Sequence, residues 1–187
     1  MNTHTGFLKR EDCVLLLVDI QKTLFDLCVD NDLVQKHVAA LIDICRMLDV
    51  PIVITQQNPE KIGPFIPELV ERAEDALVFD KMEFSCFQNE ATDRAIASLN
   101  RRTILLAGIE THICICQTGL DAVLAGYRVH AASDAITCRS LPNKVIGLDR
   151  LAKAGVVMSS TEMIIFELLN RAGTPEFREA LPVLKTL

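Results

Sequence analysis

The chain has 187 residues, half of them hydrophobic, with a formal net charge of −6 at pH 7. That length suits one well-buried core, a single domain over residues 1–187, and the acidic balance argues against nucleic acid, whose partners are normally basic. No apolar run approaches the ~20 residues of a membrane span, and Met1 to Glu11 is polar without the apolar core of a secretory signal, so a cytoplasmic protein without membrane contact is expected.

Cys13–Val18 is an uninterrupted apolar run, the pattern of a strand buried on both faces. It ends at Asp19, which puts that carboxylate at the carboxyl edge of a sheet, either as a turn residue or as a general base. Gln21 to Asn31 is ambiguous, with Phe25 able to line a pocket. A helix follows from Asp32 to about Leu48, striped by Val34, Val38, Leu41, Cys45 and Leu48. His37 within it carries no assigned role. Asp49-Val50-Pro51 turns the chain into the strand Ile52–Thr55, which makes a right-handed βαβ unit. Gln56 to Pro67 holds three prolines and one glycine, reads as a loop without regular structure, and is the lid candidate.

Ala76–Phe79 is a short strand leading to Lys81, which is flanked by Phe79, Phe84 and Phe87. Asn89 to Leu99 is a helix, and Thr103–Ala107 is a second buried run that Gly108 breaks. Thr111 is placed to cap a helix on which Ile113, Cys116, Leu120, Val123 and Tyr127 form one apolar face, ending near Gly126. The strands Arg128–Ala132 and Val156–Ser159 alternate with helices over Ser140–Ala154 and Thr161–Leu169, and Pro175 starts a tail helix. The alternation implies an α/β, doubly wound parallel sheet of about six strands with helices on both faces, a Rossmann-type three-layer architecture. Neither GxGxxG nor GxxxxGK is present, which disfavours the usual nucleotide sites. The seven cysteines are odd in number and scattered, without a CxxC pair or a His at zinc-finger spacing, and read as reduced thiols.

Cys114 falls in the first turn of a helix just past a central strand. There the helix dipole favours a thiolate, and free N–H groups can receive an oxyanion. Asp19, Lys81 and Cys114 each follow a different strand at its carboxyl end, and in a parallel sheet those ends converge.

The segments Val18-Asp19-Ile20-Gln21, Lys81 to Phe87 and, above all, Ala107-Gly108-Ile109-Glu110-Thr111-His112-Ile113-Cys114 resemble the isochorismatase-like cysteine hydrolase superfamily, as does the tail Phe177 to Lys185. The resemblance spans nearly the whole chain. It implies a triad in which Asp19 takes the thiol proton, Lys81 stabilises anionic states, and Cys114 attacks an acyl carbon to form a thioester. It also implies a cis peptide at Ile109–Glu110 and an oxyanion hole made by the N–H groups of Glu110 and Cys114. Nicotinamidases of the superfamily carry an Asp and paired His residues for a metal after the second strand. Here Thr55 to Glu60 holds no His, so neither metal nor other cofactor is expected. Isochorismatases proper lack the nucleophilic Cys, so Cys114 argues against their activity. The chain looks most like the isochorismatase-domain subgroup of mostly unassigned substrate.

The expected activity is hydrolysis of a small amide-like C–N bond. The expected pocket is largely apolar, with Phe25, Ile62, Phe65, Phe84 and Phe87 as walls or core and Gln21 as a polar contact. The rival is a non-catalytic module that binds a small molecule in the same crevice. A redox pair of Cys114 and Cys116 is weaker, because residues two apart on a helix do not face each other. The tail helix, with Phe177, Leu181 and Leu184 on one face, and the high apolar content point to a homo-oligomer.

Overall fold

The computed structural model describes residues 6–187. Positions 1–5, part of the polar stretch read above as free of a targeting signal, lie outside the described residues. The strands are β1 (Cys13–Val18), β2 (Ile52–Gln57), β3 (Leu77–Lys81), β4 (Thr103–Gly108), β5 (Arg128–Ile136) and β6 (Val157–Ser159). The helices are α1 (Lys22–Phe25), α2 (Asn31–Met47), α3 (Pro59–Ile62), α4 (Pro67–Arg72), α5 (Glu90–Ser98), α6 (Cys116–Leu124), α7 (Leu141–Lys153), α8 (Thr161–Leu169) and α9 (Pro175–Leu184). The sheet runs in the order β3-β2-β1-β4-β5-β6 with every neighbouring pair parallel. This is the doubly wound order, and its switch point lies between β1 and β4, where ligands of such sheets bind.

All six residues of β1 are fully buried, and their alternation feeds two cores. Cys13, Leu15 and Leu17 pack with residues of α2, α8 and α9 on one face. Val14, Leu16 and Val18 join Ile96, Cys116, Ala122 and Leu151 on the other. Each such side chain adds about 1.5–3 kcal/mol on burial, so β1 anchors the molecule.

Several local expectations change. The segment Gln56 to Pro67 is not irregular throughout. β2 runs on to Gln57, α3 forms one turn, and α4 starts at Pro67. Pro59 and Pro67 occupy first-turn positions, where a missing N–H costs nothing, so these prolines start helices rather than exclude them. Lys81 is the last residue of β3 rather than beyond it, and β5 continues to Ile136. Thr111 does not cap a helix. Thr111–Ile115 forms a π-helical turn flanked by Glu110, regular α-helix begins at Cys116, and the Thr111 hydroxyl is buried without a partner among the described residues.

Gly108 sets the approach of β4 to β1. Its φ is +128°, and a Cβ built there would stand 2.2 Å from the Val18 carbonyl oxygen. No other residue fits, and the close contact lies at the switch point itself.

Candidate active site

Asp19 follows β1 with a left-handed φ of 55°, a conformation that Asp tolerates better than most residues. Its N–H donates to the Thr55 carbonyl at 3.0 Å, which fixes the turn against β2. The buried carboxylate accepts from the Thr55 hydroxyl at 2.9 Å on Oδ1 and from Lys81 Nζ at 2.6 Å on Oδ2. Lys81 Nζ also donates to Gln57 Oε1 at 2.9 Å and to the Glu83 and Phe84 carbonyls at 3.1 and 3.4 Å. Its side chain has no exposed surface. A buried ammonium needs such saturation, because leaving water costs several kcal/mol per ion, an order-of-magnitude figure.

Cys114 sits within the π-helical turn, 7 % exposed, close enough to the Asp19 carboxylate to feel its charge. Burial first, then the Asp19 carboxylate, push its thiol far above the ordinary value, and the Lys81 ammonium opposes them. This corrects the expectation of a depressed thiol. The helix start is present, but desolvation and an adjacent anion outweigh it, so the resting group is a thiol beside a carboxylate. Cys86 borders the same place. It is fully buried, 3.6 Å from the Thr55 hydroxyl, and its thiol is pushed up to about 11 by burial and by Asp19.

The Ile109–Glu110 peptide is cis, and the Glu110 N–H donates to no described residue. The Glu110 carboxylate is held by Arg139, between β5 and α7. It accepts from the Arg139 backbone N–H and from Nε, both at 3.1 Å, and pairs with the guanidinium at 2.9 Å. Glu110, His112 and Cys138 present ligand atoms within 4.8 Å of one another. Arg139 already occupies both carboxylate oxygens, and the Cys138 thiol donates to the Ser140 carbonyl. A cation there would meet the guanidinium, so the donor set suits a metal poorly.

The remaining residues divide. Gln21 is fully buried, and its amide is spent on backbone, from Gln57 N–H and to the Gln57 and Gly63 carbonyls. Phe25 and Phe65 lie in the core beneath α2 with almost no exposed surface. Phe87 packs on Tyr127 with ring centroids 5.5 Å apart. Ile62 is half-buried, while Phe84 is exposed. Thr55, Gln57 and Cys86 were missed by sequence reasoning, although Thr55 and Gln57 stand at the same carboxyl edge that singled out Asp19.

The isochorismatase domain model matches residues 13–163. The chain is an isochorismatase-family hydrolase. A secreted isochorismatase effector, Isc1, of Phytophthora sojae is 34 % identical over 184 residues, covering 96 % of this hydrolase and 88 % of the effector. The structure of the MAR1 ribonuclease of Caenorhabditis elegans superposes with a TM-score of 0.91 at 26 % identity, covering 96 % of this chain and 93 % of that one. The YcaC gene product of Escherichia coli, described as an octameric hydrolase of unknown specificity, superposes at 0.87 with 24 % identity, covering 96 % and 88 %. Among the described residues, no helix of this family member is long and apolar enough to cross a membrane.

Proposed function

We propose that this isochorismatase-family chain is a single-domain cysteine hydrolase that cleaves a small amide-like C–N bond through an Asp19–Lys81–Cys114 triad. One observation carries the reading: the buried Asp19 carboxylate pairs with the Lys81 ammonium at 2.6 Å and lies near enough to the Cys114 thiol to raise it. Asp19 takes the thiol proton as sulfur attacks the acyl carbon, and returns it to the departing amine. Asp19 then deprotonates a water that attacks the thioester carbonyl, the C–S bond breaks to release the acid product, and the proton returns from Asp19 to the Cys114 sulfur. The N–H groups of Glu110 and Cys114 receive the oxyanion, and Lys81 offsets the negative charge that accumulates. Base, nucleophile and charge all come from the chain. Ile62 and Phe84 supply apolar contact at the mouth. The acidic net charge of −6 speaks against an RNA substrate, despite the name of the nematode relative.

Seven unpaired thiols suit a reducing compartment such as the cytoplasm. A homo-oligomer is proposed from the apolar surface of α7, where Leu141, Val145 and Ile146 are exposed.

The test is a screen of small primary and secondary amides with wild type and Cys114→Ala. Turnover falling by about a thousandfold or more in the variant, with an unchanged circular dichroism spectrum, is expected. Undiminished turnover rejects the mechanism. Ligand binding without turnover or a trapped acyl adduct identifies a binding module instead.

A further inference from the structure

The hydroxyl of Thr55 has one hydrogen, and the geometry directs it to Asp19 Oδ1 at 2.9 Å. Its contact with Cys86 Sγ at 3.6 Å must then run the other way, with the Cys86 S–H donating to the Thr55 oxygen. The raised Cys86 thiol, at about 11, remains protonated at neutral pH and able to donate. Cys86 is itself held by its backbone N–H, which donates to the Thr118 hydroxyl at 3.1 Å. All of these side chains are fully or almost fully buried. The result is a dry chain, Cys86 to Thr55 to Asp19, that ends on the carboxylate oxygen opposite the one Lys81 occupies.

We infer that Thr55 is a positioning residue for the hydrolase proposed above, holding the Asp19 carboxylate oriented toward the Cys114 thiol, with Cys86 as the outer link. The inference rests on that reading of the triad. A hydrogen bond to a charged group of this kind corresponds to about a tenfold or larger change in rate. The thiol proton still moves to Asp19, and Thr55 exchanges none.

The experiment is alkylation of Cys114 by acrylamide as a function of pH, read by peptide mass mapping, in wild type, Asp19→Asn, Thr55→Val, Thr55→Ser, Thr55→Ala and Cys86→Ala. Thr55→Val and Thr55→Ala are expected to slow labelling about tenfold at neutral pH. Thr55→Ser, which keeps the hydroxyl, restores the rate, and Cys86→Ala slows labelling by less. Thr55→Ser and Thr55→Ala lose the same methyl group, so their comparison holds if Thr55→Val does not fold. If Asp19→Asn slows labelling while Thr55→Ala follows wild type, the inference is overturned and the triad stands. Equal losses in Thr55→Ser and Thr55→Ala also overturn it, since Thr55 then only fills space. An unaffected Asp19→Asn removes the triad itself.

Discussion

At the scale of single residues the site is governed by one shared carboxylate. Asp19 raises the Cys114 thiol and Lys81 lowers it, so the two substitutions should move that thiol in opposite directions. The thiol's folded value lies above its unfolded one, so burial favours the protonated form. That contribution to stability is complete below the ordinary thiol range and is lost as pH rises through the folded value. In Asp19→Asn the thiolate should appear at lower pH than in wild type, and in Lys81→Met at higher pH; labelling at neutral pH, where the thiol is protonated, is limited instead by transfer of its proton to Asp19, so Asp19→Asn still slows it there. Thiolate absorbance, taken as a difference against Cys114→Ala, reads both shifts. Lys81→Met also leaves Asp19 buried without its ammonium, which should cost about 3–5 kcal/mol in urea unfolding. The double variant Asp19→Asn, Lys81→Met should recover part of that loss, and strictly additive losses would show that the pair is not coupled. Thr55 and Cys86 were not legible in the sequence. A Thr ending an apolar run looks like any strand Thr until its hydroxyl partner is in view, and a buried Cys looks like a small hydrophobe.

At the scale of elements, the places where sequence reading succeeded and failed have physical causes. β1 and β4 are continuous apolar runs, because both faces of each strand are covered, and such runs are unmistakable. The far end of β5, Ser133-Asp134-Ala135-Ile136, is polar enough to read as loop, yet it pairs with Gly108 through Ile136. There Asp134 Oδ1 caps the start of α8 by accepting from the Thr161 N–H at 2.8 Å. Prolines in the Gln56 to Pro67 segment were read as breakers, although residue identity alone does not separate a first-turn proline from a loop proline. Gly108 leaves no room for a Cβ against β1. Gly108→Ala combines a disallowed backbone conformation with a clash against Val18, and should lower stability by more than about 2 kcal/mol. Urea midpoints check this, and an unchanged midpoint would mean that β4 can draw back from β1 without loss.

At the scale of the whole molecule, most of the hydrophobic surface is committed to two cores, and the apolar remainder is informative. Leu141, Val145 and Ile146 on α7 are each more than half exposed. In the homo-oligomer proposed above, this face lies against another copy, so Val145→Glu with Ile146→Glu should shift sedimentation toward the monomer. An unchanged sedimentation profile would place the contact elsewhere. The larger consequence comes from the sheet. Val18 pairs with Thr55 on one side and Gly108 on the other, and Lys81 pairs with Gln57. Asp19, Thr55, Gln57 and Lys81 therefore meet only when three neighbouring strands share one register. A slip of a single residue in β2 would turn the Thr55 hydroxyl to the opposite face and put Gln56 in place of Gln57. Such a chain could still be compact and apolar inside, yet its carboxylate and ammonium would lose their neutral partners together. Recovery of thiol reactivity after denaturation thus measures strand alignment rather than collapse, and should lag behind the return of secondary structure.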